Sequence, residues 1–446
     1  MESESGILSE SFFFTARKAP LHSHIENSTG VASSSSSSTK YYSARIHTLM
    51  TLKSERGMSE KDAEIEASKS HWTEVESNRH YTPATSGRKQ SSTSETGGES
   101  CGVEMTEEEW AELYKDNVEE MRRLQMENED SDFFQIGGKV EGEMIAKGGQ
   151  ATIYEHRKDI GGRSVPMVMK VFEVGYSVRE LRKQWPLNLL CNGSAGSHYP
   201  RNPILTGRLL NDGRFAFEML KFWGDVRKLL DVRMQHNGNR HPPFMMEDGS
   251  YQEDCIYRMW NSIACGMQGL NDESTLHRDL KASNVLIEST SFWKPGYKEE
   301  DRLDPLDLGV GFVCFVADYE CSAGVVGTGF WRAPEILEAV KNRTLGTSNV
   351  FTPKVDVYSY AMTCYEILTG YVPFEHLEDK GTNMDRVLQG KRPTLPQHLK
   401  PWVIELFQRC WHEDPLVRPT FLEIMAIFKK LEGMVYFWKQ FMDRIE

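Results

Sequence analysis

Hydrophobic residues in this chain keep one period before its midpoint and another after it. Between Ile136 and Phe172 apolar residues gather into short segments at 140–146, 151–157 and 165–172, punctuated by Gly148-Gly149 and Gly161-Gly162. Short runs bounded by glycine pairs predict strands joined by tight turns, here a three-stranded antiparallel meander. After about residue 253 the spacing changes: Ile256, Met259, Trp260, Ile263, Met267 and Leu270 recur on one helical face, which predicts a mainly α unit. No repeat with a period of about 20 to 50 residues is present, so a solenoid is excluded. At 446 residues the chain is longer than one hydrophobic core usually serves. A small β lobe, a larger helical lobe and flanking extensions, α+β in class, are expected.

The formal net charge of −13 argues against nucleic acid or an anionic membrane surface as partner, because both are bound through basic patches that release counterions. No apolar run approaches the roughly 20 residues that span a bilayer. Glu2 and Glu4 stand where a secretory leader carries basic residues, so a soluble, intracellular protein is expected. The eight cysteines are scattered singly, without a Cys-x-x-Cys pair, and read as reduced thiols filling core positions.

Residues 1–102 combine the serine tract at 33–38 with Ser91, Ser92, Thr93 and Ser94 and lack sustained apolar periodicity; they are expected to be disordered. A phosphorylated tail and an inert solvated extension fit this composition equally. Phe12-Phe13-Phe14 reads as a docking patch or as a local cluster. An amphipathic helix is expected within 103–130. Thr106 and Glu109 make a capping box, Glu107 and Glu108 suit its positive end, and Arg122 and Arg123 suit the other. Trp110, Leu113, Val118, Met121 and Leu124 form an apolar stripe that packs on the next lobe or, through 106–125, on a partner.

Chemistry concentrates at 277–284, where His277, Arg278, Asp279, Leu280, Lys281, Ala282, Ser283 and Asn284 precede the apolar run Val285, Leu286, Ile287. In this spacing Asp279 can accept the proton of an attacking hydroxyl, Lys281 can offset charge on a phosphoryl group in transfer, and Asn284 can ligate magnesium. A second marked stretch, Gly327, Thr328, Gly329, Phe330, Trp331, Arg332, Ala333, Pro334 and Glu335, lies downstream.

The first stretch resembles the catalytic loop of eukaryotic protein kinases, and the second resembles the segment that receives their substrate. The resemblance runs from about 136 to 432 and implies a two-lobed kinase domain, with a β lobe at 136–220 and a helical lobe at 221–432. A helical extension over 433–446 is expected beyond it. Trp331, Arg332, Ala333, Pro334 and Glu335, together with Trp411, His412, Asp414, Pro415 and Arg418, look most like the tyrosine-kinase-like group abundant in plants. The resemblance implies Asp279, Lys281 and Lys170 as catalytic residues, with Lys170 on the third strand holding the α- and β-phosphates of ATP. Nucleotide contacts are implied for Ala146, Lys147, Gly148, Gly149, Ala151 and Ile153, with Glu218 and Met219 where the fifth strand enters the adenine-binding hinge. Asn284 and Asp318 are implied metal ligands for magnesium, or for manganese in its place. Glu180 is assigned by elimination as the helix glutamate that orients Lys170, ten residues after it. Asp356 is implied to anchor the catalytic-loop backbone, and Glu335 to pair with Arg418.

Lys281 and Thr328 favour serine and threonine over tyrosine in a protein substrate. The departures are Ala146 and Ala151 at glycine positions and Glu320 after Asp318 and Tyr319, where the family usually has glycine. They support a competing reading, a pseudokinase that binds nucleotide weakly and serves as a scaffold or switch. The charged stretch 293–308 is expected to be a surface loop. Ser322 reads as a regulatory phosphosite pairing with Arg278, or as an unregulated surface serine.

Overall fold

The computed structural model describes residues 105–430 apart from 130, 149, 161, 186–198, 294–301, 310, 323–324, 346–349 and 376–382. The serine-rich tail, the triple phenylalanine, Gly149 and the extension at 433–446 lie outside the described residues. The elements in chain order are α1 (Glu107–Glu127), β1 (Phe134–Ile136), β2 (Glu143–Lys147), β3 (Ala151–Ile160), β4 (Arg163–Phe172), α2 (Val178–Arg182), β5 (Ile204–Leu209), β6 (Phe215–Leu220) and β7 (Gly224–Asp225). Then follow α3 (Val226–His236), α4 (Glu253–Asp272), β8 (Val285–Ser289), β9 (Phe312–Val316), α5 (Pro334–Lys341), α6 (Pro353–Thr369), α7 (Asn383–Leu388), α8 (Pro401–Cys410) and α9 (Phe421–Lys430).

The meander becomes part of a six-stranded sheet in the order β1-β5-β6-β4-β3-β2. All pairings are antiparallel except that of β1 with β5. Opposed residues in an antiparallel pair share a face, so Ala146, Ile153, Lys170 and Phe217 form one row across four strands. A second sheet, β7-β8-β9, opens the helical lobe. Phe222, which follows β6, stacks on Phe315 of β9 with ring centroids 4.6 Å apart and meets Phe292 edge-on. This aromatic contact joins the two sheets.

The capping box forms: Glu109 N–H donates to Thr106 Oγ1 at 3.2 Å, and Thr106 N–H to Glu109 Oε2 at 3.0 Å. The helix runs a turn past Arg122 and Arg123, so no basic residue stands in its last turn; Arg123 pairs with Glu127 instead. Its stripe packs on β1, β5 and α2 of its own chain, burying Met121 and Leu124. Buried Asn117 latches α1 to α2, its Oδ1 accepting from Val178 N–H at 2.8 Å. Buried Glu120 takes Arg182 at 2.8 Å.

In the helical lobe every residue of α6 from Val355 to Thr369 is buried, and α4 packs on α6, α9 and β9. A β-carbon at Gly266 of α4 would stand 2.6 Å from the Pro200 carbonyl, so glycine alone lets the strand-like segment at 199–202 cross the helix. There Asn202 N–H donates to Val316 O and Val316 N–H to Pro200 O, which positions the end of β9. The insertion is only partly a surface loop. Leu303 and Leu308 are buried in the main core, and Arg233 donates to the carbonyls of Pro305 and Leu306.

The latch predicts that Asn117→Ala, which leaves the Val178 N–H buried without its acceptor, lowers unfolding free energy by about 2 kcal/mol. Denaturant midpoints check this against Arg123→Ala in the exposed pair, expected to change stability by less than about 0.5 kcal/mol.

Candidate active site

The loop between α4 and β8 is held from below by α6. Asp356, fully buried, accepts the N–H of His277 through Oδ2 and of Arg278 through Oδ1, both at 2.8 Å. Burial raises its pKa, opposed by His277 and these amide donors. Arg278 sits at φ +64°, a sparsely populated conformation for a side-chain-bearing residue that tertiary contacts must maintain. Its guanidinium lies over the Phe351 ring at 4.2 Å. His277, with no exposed surface, bonds through Nε2 to Ala317 O at 2.9 Å, tying the loop to the end of β9.

These constraints aim Asp279 at a small polar cluster. Thr328 Oγ1 donates to Asp279 Oδ1 at 2.5 Å, while Lys281 Nζ donates to Asp279 Oδ2 and to Thr328 Oγ1, both at 2.7 Å. Asn284 Nδ2 donates to the Asp279 carbonyl at 2.8 Å and to Oδ2 at 3.2 Å. The amide oxygen of Asn284 is thereby turned away from Asp279. Asp279, Lys281 and Asn284, distant from Thr328 in sequence, are brought together.

A second anchor organises Thr328's segment. Glu366 of α6, fully buried, accepts Ala282 N–H at 3.0 Å and Trp331 Nε1–H at 2.8 Å through one oxygen. Burial pushes its carboxyl up to about 7, against the Arg227 charge and these two donors. Ser359 Oγ donates to the Trp331 carbonyl, and Arg418 grips Glu335 with two bonds at 2.7 and 2.8 Å.

From β4 of the other lobe, Lys170 Nζ lies 2.6 Å from Asp318 Oδ1 and also pairs with Glu320 Oε1. Desolvation would lower its pKa, but Asp318 and Glu320 carry it well above the ordinary lysine value. The elimination that chose Glu180 is corrected here: that side chain is 56% exposed and pairs with Lys183 at 2.6 Å. Sequence spacing within one helix could not reveal a carboxylate arriving from 150 residues away. Ser322 is also corrected, being buried and not a surface serine.

Ala146, Ala151, Ile153 and Met219 share the sheet face of Lys170, the pairings being Ala146 with Ile153, Ile153 with Lys170, Ala151 with Phe172 and Met219 with Val168. Lys147 is exposed at the end of β2, and Gly148 N–H closes the turn onto Ala151 O at 2.8 Å. Glu218 is a correction. It pairs with Met169 and Thr206 inside the sheet, so its side chain is on the opposite face from Lys170 and its backbone belongs to the ladder. The chain passes to the second sheet through 221–223. Glu218 instead meets Lys158 at 2.6 Å and His156 at 3.3 Å. Burial would raise its pKa, but His156 and Lys158 together lower it to about 2.

A two-lobed fold with a strand lysine set against a carboxylate-bearing loop defines a protein kinase catalytic domain. The family model described as protein tyrosine and serine/threonine kinase matches residues 162–428, more than half of the chain, and the chain belongs to that family. Similar curated proteins include a light-sensor protein kinase of Ceratodon purpureus, 31% identical over 222 residues, or 48% of this chain and 16% of that protein. Two others are from Arabidopsis thaliana. Serine/threonine-protein kinase STY17 is 29% identical over 41% of this chain and 28% of its own. Serine/threonine/tyrosine-protein kinase HT1 is 29% identical over 42% of this chain and 43% of its own. The matches thus span less than half the length of each of these relatives. No helix among the described residues is long and apolar enough to cross a membrane.

Two predictions follow from this geometry. Gly327 has φ +93°, and a β-carbon there would lie 2.7 Å from the Arg278 carbonyl; Gly327→Ala is expected to cost about 2 kcal/mol or more in unfolding free energy, read by denaturation. Glu218 has a folded pKa of about 2 against an ordinary 4.5, so its contribution is complete above pH 4.5 and is lost as pH falls toward 2. Glu218→Gln should flatten that acid limb, removing about 3 kcal/mol at pH 6 and little at pH 2.

Proposed function

We propose that this chain transfers the γ-phosphate of ATP to serine and threonine hydroxyls of a protein substrate, with magnesium, or manganese in its place. The observation that carries this reading is the closed set of bonds among Asp279, Lys281 and Thr328. A substrate hydroxyl entering beside Asp279 would give its proton to that carboxylate as its oxygen bonds to γ-phosphorus and the bond from phosphorus to the β-bridging oxygen breaks. Lys281 stands where it can balance charge on the transferring group, and Thr328 holds the carboxylate in one orientation. Lys170, facing the cleft beside Ala146, Ile153 and Met219, would hold the α- and β-phosphates.

The donor set suits a hard divalent cation. The Asp318 side chain is 50% exposed, and with the amide oxygen of Asn284 it offers the carboxylate and carbonyl oxygens that magnesium accepts alongside phosphate oxygens. Such an ion, held by Asp318 and Asn284, would supply neutralisation of phosphate charge. The names of STY17 and HT1, kinases of serine, threonine and, for HT1, tyrosine, support the same substrate class, and Lys281 bonded to Thr328 favours its hydroxyl-bearing aliphatic members. The net charge of −13 supports a protein substrate over nucleic acid, and the reading places the reaction inside the cell. A pseudokinase scaffold is disfavoured because Lys170 pairs with Asp318, Asp279 is bonded by Lys281 and Asn284, and Glu320, one of the departures on which that reading rests, is paired with Lys170.

Asp279→Asn is expected to lower transfer of labelled γ-phosphate to a generic protein substrate by about a thousandfold, as loss of a general base does, with nucleotide binding retained. Labelled phosphoserine and phosphothreonine that vanish in the variant support the reading; no transfer above the variant with either metal overturns it.

A further inference from the structure

We infer that Glu320 is the positioning residue for Lys170, the task sought in vain at Glu180, while Asp318, the exposed one of its two carboxylate partners, serves the metal ion. The inference deepens the kinase reading above and rests on it. Nearby acids of the β lobe are engaged elsewhere. Between 174 and 217 the chain holds only Glu180 and Asp212 as acidic residues; Glu180 pairs with Lys183 and Asp212 with Arg214. Glu173 accepts the Thr152 hydroxyl at 2.8 Å. No acid of that stretch therefore reaches Lys170, and both its carboxylate partners come from the segment after β9.

Those two carboxylates differ in the property that decides their roles. The Asp318 side chain is 50% exposed and that of Glu320 is 2% exposed, with Lys170 at 15%. A carboxylate with half its surface open can exchange its lysine for an entering cation at little desolvation cost. One buried to this degree cannot leave its counter-charge without stranding a charge away from water. The backbone between them is pinned. Tyr319, buried, donates its hydroxyl to the Asn202 carbonyl at 2.8 Å, and Asn202 N–H is in turn bonded to Val316 O. Asp318 and Glu320 thus flank a fixed point, the one exposed and the other buried, with Lys170 paired to both. The glutamate that departs from the family pattern is the lysine's permanent partner.

The test uses the full chain and compares Glu320→Gln, Glu320→Asp and Glu180→Ala with the unaltered sequence. KM for ATP and kcat are measured at saturating magnesium. Equilibrium binding of Mg-ATP is measured in an Asp279→Asn background, with the thermal midpoint recorded for each variant. Loss of one charge-assisted contact to the phosphate-binding lysine should raise KM for ATP and the dissociation constant by about tenfold in Glu320→Gln, with a smaller change in kcat. Glu320→Asp, which keeps the charge on a shorter arm, should fall between, and Glu180→Ala should stay within about twofold. Unchanged nucleotide affinity in Glu320→Gln, or a tenfold loss in Glu180→Ala, overturns the inference. If Glu320→Gln does not fold, Glu320→Asp decides: folded with weakened binding supports the role, and folded with unchanged binding overturns it. Glu320-dependent binding without phosphate transfer would sink the kinase reading and leave Glu320 in place, transfer with Glu320-independent binding does the reverse, and absence of Mg-ATP binding overturns both.

Discussion

The carboxylate of Asp356 is the point from which the active site hangs. It is a fully buried acid of a helix that is buried from Val355 to Thr369, and its two oxygens are each committed to a backbone N–H of the loop that carries Asp279. Backbone donors cannot be moved by rotamer changes, so the loop inherits the rigidity of α6. That rigidity is what allows Arg278 to keep a left-handed conformation and Asp279 to face Thr328. Three turns along the same helix, Glu366 repeats the device on Ala282 and Trp331. One buried helix therefore sets the distance between the loop that carries Asp279 and the segment that carries Thr328. A fold can hold two charged groups this deep only because each is met by several donors.

Much of the site was legible because its parts are local in sequence. Asp279, Lys281 and Asn284 lie within six residues, and local spacing determines how such side chains converge. The capping box at Thr106 and the bidentate Glu335–Arg418 pair were readable for a related reason, each resting on a short motif. Lys170 was readable from the apolar strand around it. What sequence reading missed depends on register and on chain crossings. Glu218 was assigned to the cleft because strand 215–220 was taken to open the hinge, whereas one step of strand parity turns its side chain to the opposite face. The meander and the strand at 215–220 were read, whereas β1, with three residues, and the strand at Ile204–Leu209 were not, so the sheet of six strands was read short.

Glu180 and Glu320 show the limit most clearly. Elimination along the chain considered acids downstream of Lys170 within its own lobe, and the correct partner comes from beyond β9. Glu320 was visible as a departure and was read as a defect, since a carboxylate near metal ligands is a liability when considered in isolation. Its burial and its pairing with Lys170 reverse that reading, because the excess negative charge is spent on a lysine that would otherwise lack a buried counter-charge. Ser322 teaches the same lesson from the other side: a hydroxyl in a short loop looks accessible in sequence and is enclosed in the fold.

Lys170, Asp318 and Glu320 also form a small electrical unit. One ammonium between two carboxylates leaves a formal charge of about minus one at the spot where the phosphates of a nucleotide, themselves anionic, would have to rest. By net charge alone the metal-free trio would disfavour an anion, whatever Glu320 adds by orienting the lysine. A divalent cation held at the exposed carboxylate, as proposed, would move that sum to about plus one, and the same site would then favour an anion. On the proposed reading, nucleotide and metal ion would therefore be coupled in arrival, the trio opposing a triphosphate that comes bare and favouring one that brings its counter-ion with it.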